Sequence, residues 1–149
     1  MINPIVDRLV FDESCHILME ADNVAHVLGN HSVMHAAIVL GQISYSRIPV
    51  LDEENHFLGT IALSNIIQPM FETSEMDARN INHLKVKDVM DKENIVIHTP
   101  INHEEVLHKM VNANFLPVLD EENYFLGIIT RQSILKGINR LAHELDDYL

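Results

Sequence analysis

The histidines are the first candidates for metal chemistry, because their spacing decides whether two rings can bind one ion. His103 and His108 enclose a segment that looks like a zinc-hydrolase helix, but they are five residues apart, not four. Five helical steps rotate a side chain by about 140°, so the two rings cannot share a zinc ion and this reading is rejected. His31 and His35 are four apart and could share a helix face. We expect these two to be solvated, with metal binding as the alternative.

No combination of side chains predicts catalysis. The runs Asp52-Glu53-Glu54 and Asp120-Glu121-Glu122 could be carboxylate clusters, but they follow apolar strands and are typical of solvated turns. Cys15 is the single cysteine, which excludes an internal disulfide and predicts a free thiol. The sequence has no glycine-rich phosphate loop and no nucleophile-elbow motif. We therefore predict a protein that is not an enzyme and that has no metal or cofactor.

The net charge limits the class of ligand. The 149 residues include 10 Lys and Arg against 22 Asp and Glu, which gives −12. Such a surface repels nucleic-acid backbones and anionic membranes, but one or two well-placed arginines could still hold a small phosphorylated ligand. Residues 1–13 lack the pattern of a signal peptide, and no apolar run approaches the roughly 20 residues of a membrane helix. We predict a cytoplasmic protein.

An internal repeat organises the chain. Pro49–Gly59 and Pro117–Gly127 are identical at ten of eleven positions, at an offset of 68 residues. Each copy reads as a strand, an Asp-Glu-Glu-Asn turn and a second strand, which predicts a β-hairpin. A glycine inside the second strand, Gly59 or Gly127, indicates a close backbone approach.

Helical patterns flank both hairpins. Val33–Ile43 precedes the first, and a helix capped by Asn102 precedes the second. Helices over 65–71 and 132–149 follow the hairpins. With the apolar runs 24–28 and 95–97, each repeat reads β-α-β-β-α, which predicts an α+β fold of two modules related by a pseudo-twofold axis. We predict an N-terminal arm and first module over 1–71, a linker over 72–86, and a second module over 87–149 that begins with a short helical turn at Lys87–Met90.

This order of elements resembles the CBS domain over nearly the whole chain. The most specific segments are RIPVLDEENHFLGTIA, FLPVLDEENYFLGIIT and Asp88-Val89-Met90. The resemblance implies a tandem CBS pair, a Bateman module, which binds adenine nucleotides between its modules and often dimerises. The stripe Ile134, Ile138, Leu141 and Leu145 is the candidate surface for a homodimer.

Other segments resemble the stand-alone bacterial CBS proteins of the CbpB/DarB type, which bind cyclic di-AMP. They are Met19–Val27, Tyr45-Ser46 and Gly127–Arg131. The resemblance implies one nucleotide cleft between the modules and a role in signal transduction. It also implies a regulated partner protein, such as a stringent-response synthetase or a metabolic enzyme. The ligand-binding residues that it implies are Asn23, Ala25, Tyr45, Ser46, Ile48, Pro49, Thr130, Arg131 and Ser133.

The chemistry of these residues suits an adenine dinucleotide. Ala25, Ile48 and Pro49 can form a flat apolar slot for adenine, and Tyr45 can stack on a base. Hydroxyls such as those of Ser46 and Thr130 can bond ribose or phosphate, and Arg131 can grip phosphate through two N–H groups. The alternatives are core packing for Tyr45 and a surface salt bridge for Arg131.

One departure from the family pattern bears on the choice of nucleotide. Many nucleotide-binding CBS modules have an aspartate for the ribose hydroxyls three residues after the G-h-h-T threonine. This chain has Asn65 and Ser133 at those positions, and Ala62 replaces the first threonine. A cleft that uses Ala62, Ser64 and Asn65 should therefore be weak or empty. The pattern favours cyclic di-AMP, whose ribose 3′-oxygens lie in phosphodiesters, with a sensor of AMP, ADP or ATP as the alternative.

Overall fold

The computed structural model describes residues 1–11, 17–71 and 78–149. These residues form two compact units. The terminal unit contains Met1–Val24 and Ile95–Leu149, and the central unit contains Ala25–Asn94. Cys15 and residues 72–77 of the predicted linker lie outside the described residues.

Thirteen helices and strands follow one another along the described chain, together with three short 3-10 turns. The first nine are α1 (Pro4–Val10), β1 (Leu18–Glu20), β2 (Val27–Leu28), α2 (Val33–Gln42), β3 (Arg47–Leu51), β4 (Phe57–Ala62), α3 (Leu63–Met70), α4 (Val86–Val89) and β5 (Ile97–His98). The others are α5 (His103–Met110), β6 (Phe115–Leu119), β7 (Phe125–Thr130) and α6 (Arg131–Glu144). The 3-10 turns cover Ala21–Asn23, Ala78–Ile81 and Leu145–Tyr148.

The central unit is built on a three-stranded sheet in the order β2-β3-β4. β2 is parallel to β3, and β3 is antiparallel to β4. Helix α2 begins where the Ser32 hydroxyl accepts from the His35 N–H, which satisfies one of the free donors of the first turn. Helices α2 and α3 bury Val33, Leu40 and Ile66 against the sheet.

The terminal unit has a four-stranded sheet in the order β1-β7-β6-β5. Asn102 caps α5 by accepting from the Glu105 N–H, as the sequence predicts. The core of the terminal unit includes Ile97, Val106, Leu116, Ile129 and Ile134. The predicted β-α-β-β-α order is confirmed in both repeats, as β2-α2-β3-β4-α3 and β5-α5-β6-β7-α6.

The two hairpin turns close in the same way. Asp52 Oδ1 accepts from the N–H groups of Glu54 and His56 at 2.8 and 2.9 Å, and Asp120 does the same for its own turn. Asn55 and Asn123 have φ of 67° and 66°, a conformation that asparagine tolerates well. The turn backbone, chiefly the His56 N–H, lowers the pKa of the Asp52 carboxyl. The turn interpretation of the acidic runs is therefore confirmed.

A distant segment pairs with the open edge of each hairpin. In the terminal unit β1 pairs antiparallel with β7, with Met19 opposite Ile128. In the central unit Asp91 forms an isolated bridge with Thr60, through bonds of 3.0 and 2.8 Å. A Cβ on Gly59 would lie 2.3 Å from the Asp91 carbonyl oxygen, and one on Gly127 would lie 2.1 Å from that of Met19. The close backbone approach predicted at both glycines is confirmed.

Two features differ from the sequence analysis. The first 24 residues pack with the second repeat, whereas the sequence analysis groups them with the first. In addition, part of the stripe on α6 faces its own unit: Ile134 is 4% exposed and Leu141 packs against the same core, beside α1, whereas Ile138 is 43% exposed. Gly137 permits this packing, because a Cβ there would lie 2.5 Å from the Val10 carbonyl oxygen. The prediction that the whole stripe is a dimer surface was therefore wrong.

We predict that Gly59→Ala and Gly127→Ala each lower the free energy of unfolding by at least about 2 kcal/mol, because backbone atoms of the paired strand cannot move aside cheaply. Gly127 also has φ of +151°, so Gly127→Ala should lower the free energy of unfolding more than Gly59→Ala does. Chemical denaturation measures this. The control is Gly41→Ala, in open space within α2, which should stabilise by up to about 1 kcal/mol. Equal effects at all three positions would contradict the close approach.

Candidate functional site

The central unit contributes five of the nine predicted ligand residues. Tyr45 and Ser46 directly precede β3, and both are exposed. The tyrosine is 44% exposed, which contradicts core packing as its role. Ile48 is 1% exposed and belongs to the core, so only its backbone groups are suited to a ligand contact. Pro49 is buried on the same strand, and Ala25 is half-buried against the same core.

The terminal unit contributes the other four residues. Thr130 ends β7 and caps α6, where its Oγ1 accepts from the Ser133 N–H at 3.1 Å. The two hydroxyl oxygens lie 2.9 Å apart. Asn23 is exposed at the end of a 3-10 turn that contacts β7. The structure thus brings Thr130, Arg131 and Ser133 together at the start of one helix.

Arg131 is the cation of this group, and its guanidinium lies at the C-terminal end of α5. Nη2 donates to the carbonyl oxygen of Val111 at 3.1 Å, and Nε and Nη2 lie 3.4 Å from that of Met110. The Arg131 backbone N–H donates to Asn114. A positive charge is favourable there because the last carbonyls of a helix carry a partial negative charge. These bonds to neutral carbonyls leave the charge of Arg131 available to an anion.

The equivalent group in the central unit is committed to internal bonds. Asn65, which corresponds to Ser133, accepts from the Ala62 N–H at 2.8 Å and donates to Val89 and Asp91. Leu63 stands where Arg131 stands in the other repeat and is 44% exposed. The central unit therefore lacks both a cation and a free ribose partner at this position.

The sequence analysis did not find the polar network beside this group. Arg47 forms an ion pair with Asp91, and its Nη1 also donates to Thr60 Oγ1 at 3.0 Å. Thr60 in turn donates to Asn94 Oδ1 at 2.6 Å. The sequence did contain a signal for this network, because the two repeats differ in polarity here: Arg47 and Thr60 correspond to the apolar Phe115 and Ile128 of the second repeat.

Two of the histidines weighed as metal ligands have partners within the fold. His31 is half-buried, not solvated as expected, and its Nδ1 accepts from the Leu28 N–H at 3.1 Å. Burial, followed by the nearby His35 and His26, lowers the pKa of His31. His103 bonds to Asp7 and stacks on Phe11 at 4.1 Å between ring centroids. Among the side chains that the structure describes, no group of three His, Cys, Asp or Glu could hold a metal ion.

Within residues 1–11, 17–71 and 78–149, no helix combines the length and the apolar character that crossing a membrane requires.

Comparison with known proteins identifies both repeats. The CBS domain family model matches residues 17–72 and 86–140. The chain is 30% identical to cyclic di-AMP receptor B of Bacillus subtilis, over 98% of this chain and 99% of that protein. The structure of CbpB from Streptococcus agalactiae superposes with a TM-score of 0.87 at 29% identity, over 99% of this chain and 93% of that one.

A third relative was solved with a nucleotide bound. The CbpB protein of Listeria monocytogenes in complex with c-di-AMP superposes with a TM-score of 0.81 at 34% identity. The match covers 91% of this chain and 98% of that one. Because the family model covers both repeats and the relatives match over nearly their full lengths, the chain belongs to the CBS domain family as a tandem CBS protein.

Proposed function

We propose that the protein is a regulatory sensor of an adenine nucleotide and that its ligand is cyclic di-AMP. The observation that carries the proposal is the likeness, over 91% of this chain, to a CbpB structure that contains c-di-AMP. A second relative, matched over 99% of its length, is itself named a cyclic di-AMP receptor. The protein would act by binding and not by catalysis, since the relatives matched over nearly their full lengths are named as a receptor and as CbpB proteins.

The proposed ligand residues remain those that the resemblance implies: Asn23, Ala25, Tyr45, Ser46, Ile48, Pro49, Thr130, Arg131 and Ser133. Tyr45 and Ser46 offer an exposed ring and hydroxyl. Arg131 supplies the cation that a ligand with two negative charges requires in a protein of net charge −12. The paired hydroxyls of Thr130 and Ser133 can each turn to donate to a phosphate or sugar oxygen.

The contacts of Asn65 favour the dinucleotide over AMP, ADP or ATP. A mononucleotide that is anchored by its ribose needs a carboxylate for the two ribose hydroxyls. At the equivalent positions, the Asn65 amide is already bonded to Ala62, Val89 and Asp91, and Ser133 has only one hydroxyl. Cyclic di-AMP depends less on such an anchor, and we assign it one site per chain.

Ligand occupancy would control docking onto a partner protein. Because coupling is reciprocal, the partner and the nucleotide would change each other's affinity by the same factor. The identity of the partner, a stringent-response synthetase or a metabolic enzyme, remains a prediction from the resemblance. The cytoplasmic location likewise remains a prediction.

Calorimetry with cyclic di-AMP, AMP and ATP tests the proposed ligand. We expect cyclic di-AMP to bind with a Kd in the micromolar range or tighter, at one molecule per chain. AMP should bind at least about tenfold more weakly, a difference of ~1.4 kcal/mol, because neither repeat offers a carboxylate to the ribose. If AMP or ATP binds as tightly as cyclic di-AMP, the dinucleotide proposal is wrong and the ligand is a mononucleotide.

Arg131→Ala should weaken binding of cyclic di-AMP by roughly 10- to 150-fold, since a charge-assisted bond contributes about 1.5–3 kcal/mol. It should also lower the stability of the free protein by about 0.5–1 kcal/mol, because the α5 carbonyls lose their donor. Titration calorimetry and thermal unfolding measure the two effects. The matched control is Leu63→Ala, at the same position of the other repeat, which should leave Kd nearly unchanged. An unchanged Kd for Arg131→Ala would exclude the phosphate contact.

We also expect a homodimer, whose surface retains the exposed Ile138 of the predicted stripe but not the buried Ile134. Exposed apolar side chains remain on the helix that follows each hairpin: Leu63 and Ile67 on α3, and Leu135 and Ile138 on α6. Burial of such side chains stabilises association in proportion to the area removed from water. Light scattering should give twice the 17.0 kDa of the chain at micromolar concentration. A mass of one chain, with and without nucleotide, would contradict this expectation.

A further inference from the structure

The polar network of the central unit has no part in the site proposed above. Arg47, the first residue of β3, donates to the carboxylate of Asp91 and to Thr60 Oγ1. Asn65 donates to the other carboxylate oxygen of Asp91 at 3.2 Å. The Thr60 hydroxyl donates to Asn94, whose Nδ2 donates to the Asp91 carbonyl at 2.9 Å. The five side chains thus form one closed set of bonds.

The buried position of Thr60 restricts this network to one arrangement. The residue is 2% exposed, and it is a polar side chain within an otherwise apolar interior. Its hydroxyl is satisfied twice, as acceptor from Arg47 and as donor to Asn94. Buried polar groups that are fully satisfied fix a single arrangement of the segments that they join, because any other arrangement leaves a group unpaired.

The second repeat shows that the fold does not require this network. There Phe115 corresponds to Arg47, Ile128 to Thr60 and Met19 to Asp91. The second hairpin nevertheless has the same register, with the same irregularity before its last pair. Its open edge is also paired, by β1. Apolar residues therefore suffice to build the hairpin and its third strand.

The network joins two segments that matter for the proposed function. At one end, Arg47 directly follows Tyr45 and Ser46 and begins the strand that contains Pro49. At the other end, Asp91 and Asn94 lie within the last four residues of the central unit, before the chain enters the terminal unit at Ile95. The ion pair therefore ties the nucleotide-facing segment Tyr45–Pro49 to the segment through which the chain leaves the unit.

We propose that the Arg47–Asp91 pair, with Thr60, Asn65 and Asn94, holds Tyr45–Pro49 in the conformation that binds the nucleotide. This inference rests on the proposed function. Arg47 acts as a positioning residue and not as a phosphate ligand, because Asp91 neutralises its charge and would repel an anion placed on it. Without the pair, the segment samples other conformations, and the competent fraction of molecules falls.

Binding kinetics distinguish positioning from direct contact. When only a fraction of molecules is competent, the apparent Kd rises by the inverse of that fraction. The loss then lies in the association rate, whereas the loss of a direct contact acts mainly on the dissociation rate. For Asp91→Asn we expect Kd for cyclic di-AMP to rise roughly three- to tenfold, with slower association and an unchanged dissociation rate. Arg131→Ala is the contrasting control, with faster dissociation.

A second variant covers the case in which Asp91→Asn unfolds the protein. Arg47→Phe, Thr60→Ile and Asp91→Met together introduce into the central unit the three residues Phe115, Ile128 and Met19 of the terminal unit, around which the same hairpin forms there. We expect a folded protein with the same loss in association rate. Arg47→Lys retains the charge and should recover much of the wild-type rate.

The outcomes separate the two proposals. If the wild type does not bind cyclic di-AMP, the proposed function fails, and the positioning role fails with it. If the wild type binds and the variants have unchanged rates despite a lower melting temperature, the network is purely structural and only this inference is overturned. If Arg47→Lys and the triple variant differ from the wild type only by faster dissociation, Arg47 is instead a direct ligand.

Discussion

The pairing of each hairpin with a distant third strand is the constraint on which the structure depends. A two-stranded hairpin leaves a row of N–H and C=O groups open on its outer strand, and a hairpin alone is marginally stable. Met19 and Asp91 close those edges, and they do so at glycines because the carbonyl oxygens lie where a Cβ would be. Since Met19 precedes the first repeat and Asp91 follows it, these two pairings determine which parts of the chain form each compact unit.

The candidate ligand residues lie next to these pairings. Asn23 lies three residues after the last pair of β1 with β7, and Thr130 ends β7 itself. In the central unit Tyr45 and Ser46 precede the strand that pairs with β4, whose other edge Asp91 occupies. A side chain at the end of a strand that is fixed on both sides is held more rigidly than one on a free loop, which is the requirement for a binding site.

The parts of the fold that the sequence predicts are those with local signals. The repeated hairpin, the Asn102 cap and the two helices after the hairpins each follow from residues within a few positions of one another. The pairing of β1 does not, because three residues bond to a strand more than 100 positions away. Helix α1 did have a local signal, with Asn3 as cap and Pro4 at its first position, but it falls within a short apolar segment without clear periodicity.

The candidate site is likewise only partly predictable from local sequence signals. The hydroxyls and the cation at the start of α6 follow from the motif, whereas the carbonyl partners of Arg131 depend on how α5 packs beside it. The apolar stripe on α6 is correctly read as apolar, but its pattern does not indicate that α1 covers it. Periodicity identifies the buried face of a helix, not the element that buries it.

The positions at which the two repeats differ show which residues the hairpin itself requires. Their hairpins are almost identical because both must form the same turn and accept the same close strand. Outside that segment, the central unit has Arg47, Thr60 and Asn65 where the terminal unit has Phe115, Ile128 and Ser133. The amide of Asn65, at the position equivalent to Ser133, is bonded within this polar network. Apolar packing at Phe115 and Ile128 leaves the hydroxyls of Thr130 and Ser133 bonded only locally, and therefore able to exchange that bond for one to a ligand. The asymmetry of the repeat thus commits the polar groups at this position to internal bonds in the central unit alone.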